Sequence, residues 1–115
     1  MALTFSKNER LCSETAINSL ISKGKFCCAP GLNCRYLRRV DNDGPTRIMI
    51  SVPKKLFKRA VKRNLFKRRI RESYRHLKDT VSGGPYDILF IYSTKEEMPY
   101  SRIYECISLL LKQLH

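Results

Sequence analysis

Residues 87–92 read DILFIY, a short continuous apolar run rich in β-branched and aromatic side chains. Its length suits a strand better than a helix. The absence of polar alternation predicts burial on both faces, in the interior of a sheet. The chain must then supply partner strands and apolar helical cover, and candidates for both are present. Ile48, Ile50 and Val52 alternate with Arg47, Met49 and Ser51, and Pro53 ends that strand. Residues 25–40 read as extended, broken at Ala29-Pro30-Gly31. From Asn33 onward, Cys34, Tyr36, Arg38 and Val40 share one face, and Arg35, Leu37 and Arg39 share the other. Asp41 to Pro45 is turn chemistry, so this run and 47–52 are expected to pair as an antiparallel hairpin.

Helical cover comes from three places. Ser13 stands as N-cap before Ala16, Ile17, Leu20 and Ile21, and Gly24 supplies the stop, giving a first helix over about 13–23. A last helix begins near Ser101, with Ile103, Ile107, Leu110, Leu111 and Leu114 as its apolar stripe. Between them lies KKLFKRAVKRNLFKRRIRESYRHLK, residues 54–78. It holds 12 of the 23 Lys and Arg residues and a single acid, Glu72. Wound as a helix, it turns Phe66, Ile70, Tyr74 and Leu77 to one side. Asn64, Lys67, Arg68, Arg71 and Arg75 turn to the other, a basic stripe of roughly 16 Å. Lys62 and Arg69 widen the stripe, and Arg63 projects nearer the apolar arc.

A solvated helix face usually mixes signs. Here like charges stack at i,i+4, each pair costing a few tenths of a kcal/mol, with no acid to relieve them. The whole chain carries a formal +13 over 115 residues. Such an excess points to a polyanionic partner, and arginine's planar fork suits phosphate oxygens and stacks on bases. A membrane surface is the competing polyanion, but the apolar side of this helix is needed beneath it for the core. No run approaches a membrane span or a signal-peptide core, so the chain reads as cytosolic and as one RNA-binding domain over 1–115. Five cysteines, at 12, 27, 28, 34 and 106, match no zinc spacing and read as free thiols; a redox switch at Cys27–Cys28 is the alternative. There is no Gly-rich phosphate loop, no metal-ligand cluster and no nucleophile–base arrangement, so any catalysis belongs to a partner.

The run AVKRNLFKRRIRE at 60–72 resembles the signature of the protein component of bacterial ribonuclease P, through Arg63, Asn64, Lys67, Arg68, Arg71 and Glu72. The preceding ISVPKK and the early RL…KGK element are also similar, as is the element order, across nearly the whole chain. The resemblance implies a helix–strands–helix–strand–helix α+β sandwich, a small mixed sheet of about four strands packed by helices, like the second domain of a small-subunit ribosomal protein. It implies Mg²⁺-dependent removal of the 5′ leader from precursor tRNA. The ions would be held mainly by a catalytic RNA subunit, with no organic cofactor and no obligate protein partner. The basic set expected on the RNA subunit is Lys54, Lys55, Lys58, Arg59, Lys62 and Arg63, then Asn64, Lys67, Arg68, Arg71 and Arg75. A leader cleft between helix 1 and the sheet would be lined by Ile17, Ile21, Phe26, Tyr36 and Arg38. Isoleucines stand where the family often has phenylalanines, and Pro53 where it has a small polar residue. A ribosomal or general RNA-binding protein without an enzymatic role is the alternative function.

Overall fold

A computed structural model describes residues 14–39, 46–81 and 85–114. Helix α1 spans Glu14–Lys23, strand β1 Lys25–Ala29, β2 Leu32–Arg38 and β3 Arg47–Ser51. Helix α2 spans Ala60–Leu77 and runs into a short 3₁₀ turn, Lys78–Thr80; β4 (Tyr86–Tyr92) and α3 (Tyr100–Lys112) complete the order. The Ser13 cap and the 41–45 turn lie outside the described residues.

The four strands form one sheet in the order β1-β2-β4-β3. DILFIY is β4, and it sits in the interior with β2 antiparallel on one side and β3 parallel on the other. The expected hairpin between β2 and β3 is therefore corrected, because β4 lies between them. The physical reason is burial. Tyr86 to Phe90 are all buried, so β4 takes the position with cover on both faces, and the more mixed β3 goes to the edge. A parallel neighbour needs a crossover, and α2 supplies it. The hairpin is instead β1–β2, closed at Pro30-Gly31, where Gly31 has φ 90°. A Cβ there would also meet Met98 Sδ at 2.9 Å. Gly24 stops α1 by a different route. Its amide donates to the Leu20 carbonyl at 2.9 Å, and a Cβ would come within 2.3 Å of that oxygen.

The two sheet faces are covered unequally. On one, Cys34, Tyr36, Ile48, Ile88, Phe90 and Tyr92 meet Phe66, Ile70, Tyr74 and Leu77 of α2 and the apolar stripe of α3. Full burial of each such side chain contributes about 1.5–3 kcal/mol. On the other, Leu20 of α1 packs on Leu89, with Ala16, Ile17, Leu37 and Ile91 around them. Cys27 and Cys28 fall on opposite faces, so Cys27's thiol neighbour is not Cys28 but Cys34 across the strand, Sγ to Sγ 2.7 Å. Both are free thiols facing the larger core. The S–H···S bond lowers the Cys27 thiol's pKa and, together with burial, raises that of Cys34.

Candidate nucleic-acid interface

Helix α2 forms against its own electrostatics. Its N-cap, Arg59, makes no side-chain capping bond, and the first turn holds no acid although the helix dipole favours one. Stability comes instead from the buried stripe of Phe66, Ile70, Tyr74 and Leu77, as the periodicity requires. Ser73 is buried with them, its hydroxyl donating to the Arg69 carbonyl at 2.8 Å. The helix begins only at Ala60. Residues 54–59 make a turn that buries its apolar part: the Phe57 ring lies 4.8 Å from Phe66 and 5.6 Å from Tyr92. Lys54, Lys55, Lys58 and Arg59 are left exposed on it.

The basic residues of α2 divide into two groups. Asn64, Arg68 and Arg71 are exposed and Lys67 is half-buried; Lys67, Arg68 and Arg71 have no carboxylate in ion-pairing range among the described residues. The others are committed internally. Lys62 pairs with Glu97. Arg63 Nη1 donates to the carbonyls of Phe57 and Lys58, each at 2.8 Å. Arg69, expected to widen the stripe, instead donates to the Met98 carbonyl at 2.7 Å and lies 5.5 Å from the Phe66 ring. Arg75 pairs with Glu72, which His76 also approaches at 3.2 Å. The Arg75 hydrogen bond is the main cause holding the Glu72 carboxyl below its usual pKa. The cations without an internal carboxylate or carbonyl partner among the described contacts form a narrower strip than the sequence pattern suggests: the lysine turn, then Lys67, Arg68 and Arg71, with Asn64 exposed beside them.

The α1 side of the sheet corrects the expected cleft. Tyr36 is 5 % exposed and faces the larger core, edge-on to Tyr86, with its hydroxyl donating to the Gln113 carbonyl at 3.3 Å. Burial raises its pKa. It cannot line a surface under α1, because strand alternation sends it to the opposite face. Arg38 shares that parity and is exposed at the strand end. Ile17 packs under α1, while Ile21 and Phe26 are each 52 % exposed. The residue that joins them is Arg35. Its guanidinium lies 5.5 Å from the Phe26 ring centroid and donates to the Ile21 carbonyl at 3.2 Å. The sequence carried a signal for this: Leu32, Cys34 and Tyr36 are the apolar parity of β2, and Arg35 is not in it. The same sheet face also holds a bidentate Arg47–Asp87 pair, both contacts 2.8 Å.

Among the described residues no three His, Cys, Asp or Glu side chains are grouped to hold a metal ion. Glu72 faces Arg75 and His76 rather than another acid. No described helix is long and apolar enough to cross a membrane.

An α+β domain with an acid-free strip of cations along one helix defines a protein built to meet a polyanion. The ribonuclease P family model matches residues 5–115. The ribonuclease P protein component of Borrelia duttonii is 32% identical over 98 residues, 84% of this chain and 83% of the relative. That of Porphyromonas gingivalis is 41% identical over 71 residues, 61% of this chain; there the match spans about half the relative's length, 52%. The RNase P protein of Staphylococcus aureus superposes with a TM-score of 0.78 at 27% identity, covering 90% of this chain and 93% of that one. The Thermotoga maritima RNase P protein shares the fold, with a TM-score of 0.80 at 24% identity over 93% and 98%. The chain belongs to the ribonuclease P protein family.

Proposed function

We propose that this chain is the protein subunit of a cytoplasmic ribonuclease P, assisting hydrolytic removal of the 5′ leader from precursor tRNA. The observation that carries the reading is the strip of Lys54, Lys55, Lys58, Arg59, Lys67, Arg68 and Arg71, exposed or half-buried and without carboxylate partners among the described residues. The strip docks on the RNA subunit, which performs the chemistry with the Mg²⁺ ions it holds. The protein's part is electrostatic and positional. Two dense polyanions must approach each other, and a chain of formal +13 lowers their mutual repulsion. The leader lies on the α1 side of the sheet. There Arg35, Phe26 and Ile21 offer a cation, an aromatic ring and an apolar wall to an unpaired base and its phosphate.

Reconstitution tests this. Precursor cleavage by the cognate RNA subunit, titrated with Mg²⁺, should reach half-maximal rate at lower Mg²⁺ when the protein is present. An unchanged titration would sink the proposal. A gain equal for leader-bearing and mature tRNA binding would favour a general RNA-binding protein instead.

A further inference from the structure

Arg63 stands in the basic run, yet its guanidinium is turned inward. One terminal nitrogen, Nη1, bridges two successive carbonyl oxygens, those of Phe57 and Lys58, at 2.8 Å each. Its own amide donates to the Arg59 carbonyl at 3.3 Å. The segment it grips lacks the usual fastenings. Arg59, the helix N-cap, contributes no side-chain bond, and no acid lies in the first turn. Phe57 anchors one side of the turn through its ring, against Phe66 and Tyr92. Beyond Phe57, the two exposed cations Lys58 and Arg59 hang on backbone that only Arg63 holds by a side chain among the described contacts.

We propose that Arg63 is a positioning residue rather than a phosphate ligand. It fixes the Phe57–Lys58 backbone so that Lys58 and Arg59 continue the strip formed by Lys67, Arg68 and Arg71. The inference rests on the RNA-docking reading above. The chemistry favours it: a guanidinium donating to two carbonyl dipoles from one nitrogen has less left for an outside anion. An ordered cation also loses less conformational entropy on binding than a mobile one.

The test is a double-mutant cycle on the full chain, with Arg63→Met, Lys58→Ala and both together. Affinity for the cognate ribonuclease P RNA subunit is read across a salt series. Lys58→Ala should lower the salt slope by about 0.7–1 in the wild-type background. It should lower it by close to nothing in the Arg63→Met background, where Lys58 is already displaced. Arg63→Met alone should lower the slope by more than one contact's worth. Independent, additive losses of one contact each would make Arg63 an ordinary phosphate ligand and overturn this inference alone. Absence of salt-dependent binding by the wild-type chain would overturn the docking reading and take this inference with it. Hydrogen exchange on the RNA-free chain supplies a second measurement. In Arg63→Met, amides at 54–60 should exchange faster while those at 66–77 stay protected. Unchanged exchange at 54–60 would also overturn it.

Discussion

The outer strip of α2 and the α1 side of the sheet both present arginine to solvent, but under different constraints. Arg68 and Arg71 are exposed and have no carboxylate partner among the described residues. Arg35 is half-buried, bonded to the Ile21 carbonyl and laid against the Phe26 ring. The first arrangement stores repulsion that an external polyanion relieves, so its contribution should be strongly salt-dependent and tolerant of RNA sequence. The second is a preformed surface of defined shape, so its contribution should depend on whether an unpaired base is present and carry the salt dependence of about one phosphate contact. Under the proposed function, the helix face supplies affinity and the opposite side of the molecule supplies selection.

Both surfaces depend on α2 staying fastened to the sheet. Tyr74 is 1 % exposed with its ring 6.0 Å from Phe90. Tyr74→Ala should cost about 3–5 kcal/mol in urea unfolding and abolish both functions together. Loss of RNA binding without loss of stability would show that Tyr74 is not the core fastening described here. The next effect separates the surfaces. Arg35→Ala should weaken leader-bearing precursor by about 1–3 kcal/mol and leave mature tRNA unchanged, whereas Tyr36→Phe should leave both unchanged. Equal losses for the two RNAs in Arg35→Ala would erase the distinction. A smaller effect marks the edge of the strip. Glu97→Gln releases Lys62 from its pair and should steepen the salt slope by up to about one phosphate contact. The exposed pair itself contributes at most about 1 kcal/mol to stability. A shallower slope would mean that Glu97 does not restrain Lys62.

The smallest expected effect concerns Glu72. Its folded pKa is lowered, chiefly by Arg75 and also by His76. The stability it contributes is therefore present above the unfolded carboxylate value of roughly 4.3. It is lost as pH falls through the lower folded value. With the carboxylate 42% exposed, screening keeps this small. Glu72→Gln should lower stability slightly at neutral pH and by less as pH falls through the folded value, which flattens the acid limb of the stability profile. A larger loss at pH 7 than at pH 3 beyond this would point to a buried role the geometry does not support.

What the sequence could announce was periodic. Phe66, Ile70, Tyr74 and Leu77 repeat at helical spacing and are all buried. DILFIY is apolar without alternation and occupies the sheet interior. Strand partners were not legible, because alternation fixes which face a side chain takes and not which strand lies beside it. Hence β3 reads as a hairpin partner of β2 when it pairs with β4. The fate of individual cations was hidden for a related reason. Lys62 meets Glu97 and Arg69 meets Met98 across 35 and 29 residues of sequence, where no spacing rule reaches. Tyr36 misleads because a strand tyrosine near arginines suits a base as well as a core. Counting the alternation from Leu32 would have put it inside.

The central claim is that the exposed part of α2 holds RNA through its charge. The most direct test compares the wild-type chain with the Arg68→Ala, Arg71→Ala double variant, measuring affinity for the RNA subunit across a salt series. The account predicts that the slope falls by about 0.7–0.9 for each arginine removed, with urea unfolding unchanged. A double variant that binds more weakly with the wild-type slope would contradict it.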